Sequence, residues 1–257
     1  MTLASCDSRK TAGENPFFTE WDTPHGVPPF DKILPEHFMP AFERGMSLHE
    51  AEIDAITSNK DEATFENTIL AYDNAGQMLA QTELVFGMLC AAETNDRMQA
   101  LQEQAMPLLA AHRDKIRLDD KLFVRVKEVY DRRAALGLDA EQMRLLQKTY
   151  DSFVRAGALL DAEQKARLKE INGQLSLTAV KFGNNILAEN NNFVLELKSD
   201  ELDGLPAGIR DAAREKAQQM GKGDKWVFTL HKPSLIPLLT YSTRRDLREK
   251  IYKAYLN

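Results

Sequence analysis

The sequence predicts a mainly α protein, an antiparallel helical bundle-like array. It predicts one long helix and a small two-stranded β element near the C-terminal third. Three observations carry this. Apolar residues recur at steps of three and four along most of the chain, and the 13 Gly and 10 Pro are few enough for long helices. Capping residues stand before most of these stripes. Two short runs, Phe193-Val194-Leu195-Glu196-Leu197 and Trp226-Val227-Phe228-Thr229-Leu230, have strand chemistry instead.

Taken in order, Asn15 to Pro29 reads as irregular, with its aromatics pinning it to the body. Pro28, Pro29 and Pro35 fix φ and bias the preceding residues away from helix. Pro35 then suits a first helical turn, where no N–H is needed. Phe38, Phe42, Met46, His49, Ile53 and Ile56 form one stripe, predicting a helix over 35–58. Thr64 is an N-cap for a second helix over 64–93, with Glu66 near the positive end of its dipole. Asn95 starts a third helix, with a kink expected at Pro107. Asp119 or Asp120 caps a fourth, and Gly137 breaks the chain after it. Asp139 caps a fifth, with stripe Leu146, Tyr150, Phe153 and Leu160.

The long helix is expected over 161–189. Its stripe is Leu168, Ile171, Leu175, Ala179, Phe182 and Ile186, a spacing suited to coiled-coil-like packing, and Asn190-Asn191-Asn192 should stop it. A helix over 206–220 separates the two strand-like runs, which should pair. Pro233 and Pro237 are expected to break the next stretch into short turns. Thr243 begins a final helix with Leu247, Ile251, Tyr252, Tyr255 and Leu256 apolar. It has no Gly or Pro stop, so its stripe is expected to need a further partner surface.

The 257 residues suffice for a substantial core; 43% are hydrophobic and 28% charged, as in ordinary globular proteins. A formal net charge of −6 argues against a general nucleic-acid binder. No apolar run is long enough to span a membrane. Cys90 lies in an apolar run and reads as a buried, inert thiol. Leu3-Ala4-Ser5-Cys6 resembles a bacterial lipobox, which would make Cys6 the lipid-bearing N-terminus. On that reading residues 1–13 are a signal remnant and tether, and residues 14–257 the helical domain. The protein would then lie on the periplasmic side of a bacterial envelope. The alternative is an ordinary N-terminus and a cytoplasmic protein.

Several stretches together resemble the N-terminal region of the M3 family of zinc metallopeptidases, the peptidyl-dipeptidase and oligopeptidase A group. They are Pro29-Phe30-Asp31-Lys32-Ile33, Pro35-Glu36-His37-Phe38, Pro40-Ala41-Phe42-Glu43 and Thr64-Phe65-Glu66-Asn67-Thr68-Ile69. Later come Phe153-Val154-Arg155-Ala156-Gly157-Ala158, Ile171-Asn172-Gly173-Gln174-Leu175-Ser176 and the run from Trp226 to Leu230. Their collinear order is the specific signal. Ala63 departs from the proline usual before Thr-Phe-Glu-Asn-Thr. The resemblance implies a longer parent whose zinc and catalytic residues lie in a half absent here, with this part forming one wall of a channel for short peptides. It implies zinc in the parent and none held by this chain. The rival reading is a stand-alone helical lipoprotein acting as a binding module.

No catalytic or metal-ligating residue is assigned from the sequence. A zinc peptidase needs His-Glu-x-x-His on a helix, which sets both imidazoles on one face with a Glu base between them. His49-Glu50-Ala51-Glu52-Ile53 comes nearest, but Ile53 occupies the second ligand position. His49 also lies on the apolar stripe and reads as a packed side chain. His25, His37, His112 and His231 have no ligand spacing. Asp200-Glu201-x-Asp203-Gly204 reads as a turn, and Arg244-Arg245 with Arg248-Glu249-Lys250 as a solvated face.

Overall fold

Proline sets the entry to the first long helix. Leu34 is extended, Pro35–His37 form a 3-10 turn, and α1 follows over Phe38–Ser58. The His37 ring closes this entry by accepting the Leu34 N–H at its Nδ1, 3.1 Å away. The computed structural model describes residues 15–256, so Cys6 and residues 1–13 lie outside the described part. The chain divides into two compact units, one ending at Val180 and one beginning at Lys181.

In the first unit, Thr64 caps the next element as expected, through a reciprocal box with Asn67: Thr64 Oγ1 accepts from Asn67 N and Asn67 Oδ1 accepts from Thr64 N. The single helix expected over 64–93 is divided, however. Phe65–Leu70 is a π-helical turn, α2 is the short stretch Ala71–Asp73, and α3 runs over Gln77–Ala92. Gly76 causes the break. Its φ of 76° lies in the left-handed region, which glycine adopts without strain. A side chain there would also strike the His49 ring, 2.9 Å from the position of a Cβ.

α4 (Asp96–Arg117) is capped by Asn95 and accommodates Pro107 in its interior. α5 (Asp120–Asp131) is capped by Asp119, and α6 (Ala140–Arg155) by Asp139. α6 ends with Ala158 N bonded to Phe153 O and Gly157 N to Val154 O, the paired bonds of a Schellman stop. Leu160 therefore falls beyond the helix whose stripe it was expected to join. α1 packs on α3, α4 and α5, and α5 on α6. Two cores result. One gathers Phe17, Phe38, Phe42, Leu79, Phe86 and Leu109. The other gathers Ile53, Ile69, Leu122, Val126, Leu146 and Phe153. Cys90 is partly buried at the edge of the first, and burial pushes its thiol pKa up.

α7 spans Ala162–Asn192, so the three asparagines end the helix from inside it. Its expected stripe is not packed. Ile171, Leu175, Phe182 and Ile186 are all exposed, and Leu175 and Phe182 each keep about two-thirds of their surface (63% and 66%). What anchors the start of α7 is polar. The nearly buried Lys165 reaches the Asp120 carboxylate and the Leu118 carbonyl, and Asn172 Nδ2 donates to Asp114 at 2.8 Å.

The second unit contains β1 (Leu195–Leu197) and β2 (Trp226–Phe228), paired antiparallel with Glu196 opposite Val227. α8 (Ala207–Gln219) lies between them in sequence and packs on β2. Where short turns were expected, α9 forms over Lys232–Tyr241. Pro233 sits in its first turn, where the missing N–H is harmless, and Pro237 forgoes one bond while Leu235 and Leu238 are buried on either side. α10 spans Arg245–Leu256. Leu247 and Ile251 bury in this unit's own core with Leu195, Leu197, Phe228 and Leu238, so only Tyr252, Tyr255 and Leu256 of its stripe remain exposed.

Candidate functional site

His49 lies on α1 and does not stand alone. His112 of α4, sixty-three positions on, places its Nε2 3.0 Å from His49 Nδ1. His112 is buried, and its Nδ1 has no hydrogen-bond partner, facing Glu50 Oε1 at 3.5 Å. Glu50 in turn pairs with Lys115 at 2.8 Å, and Glu52 accepts the Gly76 N–H at 2.6 Å. The negative Glu50 favours a proton on His112 Nδ1, which leaves Nε2 to accept from His49 Nδ1–H. The sequence reading missed this pair because it looked for histidines at ligand spacing. The available signal was the register of His112 with Leu109 and Ile116 on the buried face of α4.

Chemically the pair is a structural link between α1 and α4. Ile53 is buried in the core, and among the described residues no group of three His, Cys, Asp or Glu is gathered that could hold a metal ion. The residues here therefore do not fit a zinc peptidase centre. Burial lowers the pKa of both histidines below the ordinary 6.5, Glu50 opposing this at His112 and Lys115 and Arg113 adding to it. A depressed histidine pKa means that the folded state holds fewer protons than the unfolded state. The stabilisation is complete above the unfolded pKa near 6.5 and is lost as pH falls through it toward the folded value. The first unit is accordingly expected to lose stability as pH falls from about 7 through 6.5 and below, and His112→Gln to flatten that loss. Urea unfolding monitored at Trp21 across that range measures it. Equal pH slopes in the parent and the variant would refute the assignment.

The other residues considered from the sequence stay apart from this cluster. Ser199–Glu201 form a 3-10 turn, and Gly204 approaches the Tyr241 carbonyl too closely for any side chain. That is a structural turn, not a calcium loop. Arg244 pairs with Asp246 at 2.9 Å on the surface.

The second unit offers concave surface. Phe182, Ile186 and Tyr255 border a depression of about 870 Å³ that also takes in Asn190, Leu230 and His231. A neighbouring cavity of about 340 Å³ has Val227 and Phe228 in its wall and Asn190, Lys216 and His231 at its edge. The lining combines apolar side chains with amides, Lys216, Lys232 and the Glu189 carboxylate.

No protein-family model matches the chain. Curated proteins do match. Dipeptidyl carboxypeptidase of Escherichia coli is 37% identical over 241 residues, 93% of this chain but 35% of that protein. Oligopeptidase A of the same organism is 26% identical over 91% of this chain and 34% of its own length. Organellar oligopeptidase A of Arabidopsis thaliana is 24% identical over 99% of this chain and 32% of its own length. The chain is a homologue of peptidases. Those relatives are dipeptidyl carboxypeptidases and oligopeptidases A, peptidases of the M3 family, to part of which this chain is similar. It spans about a third of the length of the curated relatives it matches.

Proposed function

We propose that this chain is the N-terminal, non-catalytic part of a zinc-dependent M3 peptidase that hydrolyses short peptides, and that it forms one wall of the substrate channel. The carrying observation is the 37% identity with a dipeptidyl carboxypeptidase over 93% of this chain. Supporting it are the exposed apolar residues of α7 and α10 and the concave surface between them in the second unit. The partners on this reading are short peptides and a catalytic portion that carries the zinc. No hydrolytic step is assigned to the residues of this chain.

The test is dipeptide release from short peptides. The chain alone is expected to be silent with zinc added. A chimera of this chain with the part of E. coli dipeptidyl carboxypeptidase outside the aligned region is expected to be active and chelator-sensitive. Dipeptide release by the pure chain would overturn the reading.

Leu3-Ala4-Ser5-Cys6 favours a second element, a lipid anchor at Cys6 on the periplasmic side of a bacterial envelope. With it comes the alternative of a lipoprotein binding module. Intact-mass analysis of the native membrane fraction should find Cys6 acylated and N-terminal; a chain that begins before an unmodified Cys6 refutes the anchor.

A further inference from the structure

Arg117 ends α4, and Arg144, Lys148 and Arg155 lie on α6. With Asp151 and Ser152 they line a cavity of about 470 Å³ in the first unit. The three α6 cations are spaced by four and seven, which puts them on one helical face, where like charges destabilise the helix. The helix dipole explains a cation at Arg117 and Arg155, each at a helix end, but not Arg144 and Lys148 in mid-helix.

Several cations elsewhere in this unit have carboxylate partners: Arg97 with Glu36, Arg113 with Glu83, Lys115 with Glu50, Lys127 with Asp131. Among the described residues none of the four cavity cations meets a carboxylate at ion-pair distance. The one carboxylate in the lining, Asp151, accepts from Gln147 Nε2 at 2.9 Å, and the Ser152 hydroxyl donates to the Thr149 carbonyl. In a chain of net charge −6, this concavity gathers four cations against the one carboxylate of Asp151.

We propose that the cavity binds a small linear polyphosphate, free or as the phosphate chain of a nucleotide. The guanidinium forks of Arg144 and Arg155 match phosphate oxygens in pairs, Lys148 adds a point charge, and Arg117 adds its charge while hydrogen-bonded to Tyr72. Arg144 to Arg155 covers about 16 Å of helix, longer than one phosphate group and suited to several in a row. The inference is independent of the peptidase reading, and its test needs no catalytic activity.

Calorimetric titration of the intact chain with inorganic tripolyphosphate at about 50 mM salt tests it. Saturable one-to-one binding is expected, weakened at least about tenfold in Arg144→Gln/Lys148→Gln and unchanged in Arg210→Gln/Lys250→Gln. Both pairs are on the surface, so each variant should fold. A nucleoside triphosphate binding more tightly than tripolyphosphate would identify a nucleotide as the source, and equal affinities would identify the phosphate chain alone; either supports the site. No saturable binding, equal loss in both variants, or a hexaglutamate peptide binding as tightly would overturn it.

Discussion

Replacing Phe153 by alanine is expected to destabilise the first unit by about 3–5 kcal/mol, the range for deleting a fully buried aromatic ring. Phe153 has no exposed surface. Its ring centroid lies 5.2 Å from that of Tyr72 and 6.1 Å from that of Phe123, so one side chain joins α2, α5 and α6. Its carbonyl also accepts the Ala158 N–H that stops α6. The neighbours are themselves held by helix packing, so collapse into the void is limited. Urea unfolding read at Trp21, in a Trp226→Phe background that silences the second unit, measures the effect. A loss below about 1 kcal/mol would mean that this core is far more plastic than its packing implies.

Arg125→Met should cost about 3 kcal/mol by a different route. The almost buried Arg125 on α5 donates to the carbonyls of Asn59 at 3.0 Å and Asp61 at 3.1 Å, and to Asn67 Oδ1 at 3.1 Å. Methionine keeps much of the apolar stem but leaves these acceptors without their donor. Arg125 Nε has no partner, which offsets part of the gain and caps the expected loss. Asn67 Oδ1 also accepts from Thr64 N, so the arginine holds the N-terminal box of the π-helical turn. Arg125→Met combined with Asn67→Ala should therefore cost less than the two singly, because the pair shares one interaction. Full additivity in that double-mutant cycle would sink the proposed link.

Local signals were legible in the sequence where one residue decides a local geometry. Thr64, Asn95, Asp119 and Asp139 each cap the element expected of them, and both strand-like runs pair. Features set by distant contacts were not legible. At the Gly76 break the His49 ring, twenty-seven positions earlier, occupies the space a side chain would need. The helix across Pro233 and Pro237 depends on burial of Leu235 and Leu238, which outweighs the proline signal. Leu247 and Ile251 show the same limit, since an apolar stripe records that a face is buried but not against what. The His49–His112 pair has no spacing signature, because the fold brings its members together from separate helices. The clustering of Arg117 with the cations of α6 was invisible for that reason too.

The π-helical turn at Phe65–Leu70 makes this part of the chain sensitive to length. Such a turn holds one residue more than the α-helical spacing allows, and within it Phe65, Thr68 and Ile69 are all buried. Deleting any one residue between them would let the ordinary helix close and turn the following side chains by about 100°. Thr68 and Ile69, both fully buried, would then leave their sites together. A point substitution on the exposed side of this turn, at Glu66, leaves that count intact, whereas a single-codon deletion anywhere within it changes the reading frame of the packing itself.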